Sequence, residues 1–489
     1  MYIYDDKIEK QPSVEIKLPE QEHSFNKHDL LKKSPLLKRI LKARSFQFLV
    51  ILPNLLVFYV IIIAGLIGTP VGNRNIAIVF IWILWWFLLI AIMVPFASRI
   101  WCTVCPLPFF GELFQRMALI MVRIGKTFNL RNKMFGFNLK WPKFLSNIWI
   151  QNIGFLTLCT FSAVLVTRPF VTSVVLGTML LLGTLLAIVW RQRVFCSYVC
   201  PVSGFLSLYS MASTMELRSG DKDVCKKCKD KGCIRGNEDG WACPWFEYIG
   251  NMERNNYCGL CMECVKSCKN DNIALNVRPF ASETKIKSLD ESFKGFIMLA
   301  LAMAYSVILL GTNGTVKDWA NASESGLWGG FFIYAGILWS SALIIVPGVF
   351  YLFSYLSKRM SGVDSVTVRE IFKGFSYILV PLGLLAWIAF SFPLMFINGS
   401  YIISVISDPL GWGWNLFGTA DFKWQPLLPE YLGYVQLILL VVGLGYAISR
   451  GYFVSFRLYK TDKAALMGLI PMAGFALLVT MAFLIFFIG

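Results

Sequence analysis

Nine apolar stretches, each about as long as a bilayer-spanning helix, constrain this 489-residue chain more than any other feature. They run over 46–67, 75–97, 147–167, 170–190, 293–311, 327–356, 372–396, 431–449 and 466–488. About 20 apolar residues cover the ~30 Å hydrocarbon core as a helix. A helix satisfies its own backbone hydrogen bonds in lipid, which an isolated strand does not. The fold class is therefore an all-α polytopic membrane protein of about nine transmembrane helices. Hydrophobic residues make up 56% of the chain and charged ones 15%, a balance that excludes an ordinary soluble domain. Residues 1–30 are polar and mixed in charge, so the first apolar stretch reads as a span and not as a cleavable leader.

The basic residues give the orientation. With the N-terminus inside, the inside loops hold Lys32, Lys33, Lys38, Arg39, Lys42 and Arg44, then the basic residues of 99–143, 191–287, 358–369 and 450–463. The outside loops hold only Arg74, Arg168, Lys317 and Lys423. The expected topology is N-in, C-out, in the cell (cytoplasmic) membrane. The net charge of +17 is accounted for by this loop bias; no basic stripe or nucleic-acid motif accompanies it, so nucleic acid is not an expected partner. Three Asn-x-Ser/Thr sequons, at Asn313, Asn321 and Asn398, all fall in outside loops, by coincidence or as glycosylation sites.

Twelve of the thirteen cysteines fall into two sets on the inside. The first set has eight. Cys258, Cys261, Cys264 and Cys268 have the C-x2-C-x2-C-x3-C spacing of a bacterial ferredoxin run, and Cys225, Cys228, Cys233 and Cys243 form a loosened second copy. In two-cluster ferredoxins the fourth cysteine of each run serves the other cluster. That rule assigns Cys225, Cys228, Cys233 and Cys268 to one [4Fe–4S] cluster, and Cys258, Cys261, Cys264 and Cys243 to another. Zinc is the rival metal, but zinc sites pair a knuckle with a distant second knuckle or with histidines, and no histidine lies nearby.

The second set sits in an internal repeat. Arg99-Ile-Trp-Cys102-Thr-Val-Cys105-Pro matches Arg193-Val-Phe-Cys196-Ser-Tyr-Val-Cys200-Pro, each block following the inner end of a span. Parallel repeats would bring Cys102, Cys105, Cys196 and Cys200 face to face at the membrane surface. Three readings stand side by side: reduced helix-end thiols, a redox-active dithiol, or a third thiolate-bound metal or Fe–S centre. Exposed thiols beside Arg99 and Arg193 would have a lowered pKa. Cys159, alone in the third span, reads as a small buried hydrophobe.

The chain divides into a cytoplasmic basic tail at 1–45, a four-span module at 46–213, a cytoplasmic two-cluster ferredoxin-like insert at 214–290 and a five-span module of unknown role at 291–489. The end of the tail, Leu30 to Arg44, is basic and amphipathic, which suits an anionic leaflet. Residues 106–124 are too broken to span and read as an interfacial helix. The only histidines, His23 and His28, lie in the tail, so no haem b is expected. There is no Gly-x-Gly-x-x-Gly, and Gly125-Lys126-Thr127 lacks the rest of a P-loop. Span interiors are nearly free of ionisable residues, which argues against an ion pathway.

The paired Cys-x2/3-Cys-Pro blocks at span ends, followed by the eight-cysteine insert, resemble the NosR/NapH-type membrane ferredoxins over about residues 46–290. The resemblance implies a membrane-bound iron–sulfur electron-transfer subunit of an oxidoreductase complex. It would relay electrons between a cytoplasmic or quinone-pool partner and a membrane or extracytoplasmic redox enzyme. Larger members carry an outside flavin domain before the first span, whereas a short tail precedes it here, and the first block has x2 where the family often has x3. The expected partners are lipid, other subunits of a membrane redox complex and a quinone. The loops at 312–326 and 398–430 are candidates for docking a partner. A related branch handles copper, so a metal reductase or assembly factor using the span-end cysteines is the alternative. A membrane anchor whose clusters only stabilise the fold is a third reading.

Overall fold

The computed structural model describes residues 28–43, 45–115, 136–237, 239–310 and 314–488. His23, Arg44, the sequon at Asn313, residues 116–124 of the expected interfacial helix and Gly125-Lys126-Thr127 lie outside them. Among the described residues, eight helices are long and apolar enough to cross a membrane: Phe46–Ile67, Ile76–Ala97, Pro169–Val189, Leu289–Leu309, Trp328–Ser361, Val368–Asn398, Pro429–Tyr459 and Asp462–Phe487. The protein is thus a multi-pass α-helical membrane protein.

The stretch at 147–167 departs from the expected single span. It forms two pieces, Trp149–Thr160 and Ser162–Thr167, separated at Phe161. Hydroxyl chemistry marks the break. Thr160 Oγ1 donates back to Leu156 O at 2.7 Å and accepts from the Trp339 indole at 3.0 Å. Such back-bonding competes with the helical ladder and bends it. The break removes one helix from the nine expected to be long enough to span.

Two helices of the first module approach closely. A Cβ on Gly65 would lie 1.9 Å from Ser173 Oγ and 2.6 Å from Pro169 O. Ser173 Oγ donates to Ile61 O across the same contact. In lipid, where apolar area alone does not drive helices together, small residues permit this packing. Gly65→Leu should part Phe46–Ile67 from Pro169–Val189 and cost about 1–3 kcal/mol, as overpacking does. Thermal unfolding in detergent checks this; Gly154→Ala, with open space at the added Cβ, should leave the transition unchanged or raise it.

The two membrane modules share one core. Trp387, fully buried, packs edge-on against Trp86, Phe205 and Tyr305, with ring centroids 5.6, 5.6 and 5.5 Å away. Trp86 belongs to the first module, whereas Trp387 and Tyr305 belong to the second. Phe205 lies on Pro201–Tyr209, the helix that leads into the insert.

The insert is built on a small antiparallel sheet. β2 (Met215–Ser219) pairs with β3 (Ile273–Val277), and β1 (His28–Asp29) pairs with the other edge of β3. The amphipathic stretch expected on the leaflet is part of this unit. Leu31 and Leu41 are buried in one cluster with Leu217, Val265, Ile273 and Leu275. Lys38 and Lys42 both grip Asp271, Lys42 at 2.8 Å. Part of its apolar face, Leu31 and Leu41, thus meets a protein core, while Leu36 and Ile40 stay exposed. The two ammonium groups, donating to the carboxylate, hold Asp271 below its usual pKa. A depressed carboxylate contributes stability above its unfolded pKa of about 4 and loses it as pH falls through the folded value. Partial exposure limits the contribution to a few tenths of a kcal/mol per pair. The protection factors of residues 30–42, referred to the intrinsic exchange rate at each pH, should therefore be slightly lower near pH 3 than at pH 7, with little change between pH 7 and 5.

Buried charge joins the insert to the second module. Glu291, in the first turn of Leu289–Leu309, accepts from Arg254 at 2.8 and 3.1 Å, Tyr257 Oη at 2.8 Å and Asn256 at 3.1 Å. Lys294, one turn on, is also buried and donates to Ser207 Oγ at 3.0 Å. The apolar reading of this span begins at 293 and passes over Asp290 and Glu291.

Candidate functional site

The first group of cysteines is set by short helices and their ends. Asp221 caps the helix Lys222–Lys227, which carries Cys225 and ends at Cys228. Cys233 lies on Gly232–Arg235, and Cys268 caps the end of Glu263–Ser267. These four line one cavity with Tyr248 and Ile249. Asn272 donates its side-chain amide to Cys225 Sγ and its backbone N–H to Cys268 Sγ, both at 3.3 Å. Burial pushes the Cys233 thiol up to about 11, and the nearby Cys268, Cys225 and Cys228 add to the rise. The structure thus groups Cys268, from the second run, with the first run.

The second group holds Cys243, Cys258, Cys261 and Cys264. Burial raises Cys243, with Cys261 and Cys258 adding to it. Burial also raises Cys264, followed by Cys261, Cys258, Cys243 and then Cys233 of the first group. Cys243 therefore sits with the second run, and Cys233 and Cys264 link the two groups. The loop bearing Cys261 is tight: its neighbours Leu260 and Met262 both adopt left-handed backbone, φ 52° and 61°. Such conformations cost energy in non-glycine residues and concentrate at functional sites.

The span-end cysteines form a third group. Cys105 and Cys200 both leave the helical region, ψ 131° and 118°, as residues before proline do. The extra residue of the second block is absorbed in one widened turn, where Cys200 N–H reaches Phe195 O five residues back at 2.7 Å. The blocks are interlocked by their arginines. Arg99 Nη2 donates to Ser203 Oγ at 2.5 Å, and Ser203 Oγ to Cys196 O; Arg193 Nη1 donates to Cys102 O at 2.6 Å. Cys196 lies near enough to Cys200, Cys105 and Cys102 for their charges to oppose its ionisation. The expectation of exposed, acidic thiols is corrected. Cys102, Cys196 and Cys200 are buried. Burial raises Cys105 and Cys196, and takes Cys200 up to about 12, outweighing the arginines.

The second and third groups are in direct contact. Thr103 Oγ1, between Cys102 and Cys105, donates to Gly259 O at 2.8 Å, between Cys258 and Cys261. Gln192 donates to Cys243 O at 2.8 Å, and Arg193 N–H to Pro244 O at 3.1 Å. Trp245 lies between the two guanidiniums, 4.3 Å from that of Arg99 and 5.7 Å from that of Arg193. A Cβ on Gly259 would lie 2.2 Å from the Trp245 ring, so this contact requires glycine there. Sequence reasoning missed Trp245 and Glu112, the buried ion-pair partner of Arg193. The Cys-Pro-Trp order at 243–245 is the one signal for the first. Glu112 lies within residues assigned to an interfacial helix; residues 109–115 are helical, with Phe109, Glu112 and Gln115 buried.

The donor set suits iron–sulfur clusters. Three groups of four thiols supply soft ligands. Arg99 Nε, Arg193 Nη2, Ser197 Oγ and Trp245 Nε1 are buried donors without a protein acceptor among the described residues. A cluster's sulfurs are acceptors of the kind such donors need. Among the described residues, no three His, Cys, Asp or Glu side chains are close enough to grip a single metal ion.

A cleft of about 540 Å³ opens beside these groups, lined by Arg99, Trp149, Tyr198, Trp245, Glu247 and Tyr257 among others. Burial raises the Glu247 carboxyl above its usual pKa, against the pull of Lys287, Arg254 and Arg218.

The chain is similar to two proteins of Methanocaldococcus jannaschii. "Uncharacterized protein MJ0749" is 26% identical over 263 residues, 53% of this chain and 92% of that protein. "Uncharacterized protein MJ0750" is 26% identical over 197 residues, 38% of this chain and 76% of that protein. No family model matches the chain, and no solved structure matches it.

Proposed function

We propose that the protein is a membrane-bound iron–sulfur electron-transfer subunit of an oxidoreductase complex. One observation supports the reading: Cys268 of the ferredoxin-spaced run lines one cavity with Cys225, Cys228 and Cys233 of the loosened copy, the exchange of the fourth cysteine that two-cluster ferredoxins use. Bound there, two [4Fe–4S] clusters would accept and pass single electrons. The chain's own residues hold the thiols, exclude water by burial and keep the groups adjacent. Glu263 accepts from Trp241 N–H at 2.9 Å and from Lys266 at 3.0 Å, fixing the loop before Cys243 to the helix that carries Cys264.

The donor is a cytoplasmic carrier or a quinol. The cleft supports the quinol, because its aromatic walls suit a planar ring and the half-buried Glu247, with its pKa raised, can take a proton. The acceptor is a membrane or extracytoplasmic redox enzyme. Loop charge supports the N-in, C-out arrangement with the insert in the cytoplasm, the two helical pieces at 149–167 together making the ninth crossing. The resemblance to NosR/NapH-type ferredoxins supports the reading through its motifs alone. The alternative, a copper reductase or assembly factor, rests on the soft thiols at the span ends.

Purification in mild detergent tests the assignment. A stable complex with a redox enzyme, and oxidation of the reduced protein by that enzyme, is the expected result. A transient association with oxidase assembly and stoichiometric copper would favour the alternative. A C-terminal reporter active only in the cytoplasm should be silent; a signal from it would overturn the orientation.

A further inference from the structure

We propose that Cys102, Cys105, Cys196 and Cys200 hold a third iron–sulfur cluster, polynuclear and anionic, with Arg99 as its counter-charge. The proposal rests on the electron-transfer reading and extends it to the membrane surface.

Charge is the first argument. The Arg99 side chain is almost wholly buried. Its guanidinium donates to Asn256 O at 2.6 Å, to Ser203 Oγ and, at 3.8 Å, to Cys102 Sγ. No carboxylate pairs with it among the described residues, and its Nε has no acceptor. A buried unpaired charge is costly and needs an anion beside it. Arg193, by contrast, has Glu112. The two matched arginines thus differ in one respect: Arg99, the one that donates to a cysteine sulfur, lacks an acid. A cluster held by four thiolates supplies the missing negative charge, whereas four neutral thiols do not. A disulfide does not supply it either.

Spacing is the second argument. The four thiols share one buried neighbourhood. Yet among the described residues no three ligating side chains meet at a point. The thiolates of a single zinc or copper(I) ion all lie about 2.3 Å from it. A cluster carries its thiolates on separate iron corners and asks for no such common point. The widened turn at Phe195–Val199 then has a use: it brings Cys200 into place despite the longer spacing of its block.

Position is the third argument. Thr103 bonds the span-end loop to Gly259 of the second insert group. One electron entering from that group and one leaving to the acceptor balance the relay, with no bond made or broken.

Iron and acid-labile sulfide counted on the anaerobically purified full chain decide the matter. The proposal expects about twelve iron per chain, four for each cluster. The Cys102→Ser/Cys196→Ser double variant should fall to about eight while keeping the insert's EPR signals, and Cys159→Ser should stay at about twelve. About eight iron in the unaltered chain, with or without zinc or copper, would overturn the third cluster and leave the two-cluster relay standing. No iron at all would overturn both. Because the count on the unaltered chain needs no variant, a double variant that fails to fold leaves the test intact.

Discussion

Cys268→Ser is expected to remove about four iron per chain and abolish one cluster signal while sparing the other. The spared cluster should be the one held by Cys243, Cys258, Cys261 and Cys264, although three of these belong to the same run as Cys268. The reason is spatial: Cys268 lines the cavity of Cys225, Cys228 and Cys233, and its charge would add to the rise of Cys233. Cys243→Ser should do the reverse and spare the Cys225 group. The pair separates the exchanged pattern from a sequential one, in which each run serves its own cluster. EPR of the two reduced variants reads the outcome. Loss of the same signal in both would contradict the exchange.

Glu291→Ala should be the most destabilising change outside the cysteines. It would leave Arg254 buried with neither of its carboxylate contacts and strip acceptors from Tyr257, Asn256 and Lys287 N–H. Removing one member of a buried ion pair costs about 3–5 kcal/mol. The expected result is a lower unfolding temperature in detergent and early proteolysis between the insert and Leu289–Leu309. Replacing both partners with apolar residues of similar size should restore much of the loss, because no buried charge then remains unpaired. An unchanged transition in Glu291→Ala would show that this junction does not hold the insert.

The spans were legible because lipid imposes one rule on every residue of a crossing helix. The break at Phe161 was not, since nothing in the local residue pattern marks it; Trp339, distant in sequence, bonds Thr160 beside it. The two insert groups were legible because their cysteines recur at short spacings along one segment. The pairing of the span-end blocks was legible from their repeat, but their burial was not. Arginines beside cysteines suggest acidic thiols when the insert above them is unseen. With Trp245 stacked on Arg99 and the insert covering both, burial sets the thiol chemistry instead. The docking of 30–42 was hidden for a related reason: an amphipathic helix looks the same whether its apolar face meets lipid or Leu275. The acidic residue that holds Lys38 and Lys42, Asp271, lies more than two hundred residues away.

Low-temperature EPR of the anaerobically reduced full chain, taken with its metal content, tests the central claim most directly. The account predicts spin-coupled signals from neighbouring [4Fe–4S] centres, with the iron and sulfide to match, because Cys233 of one group is near enough to Cys264 of the other for its charge to oppose ionisation there. Protein that carries stoichiometric zinc, no iron and no such signal would contradict it.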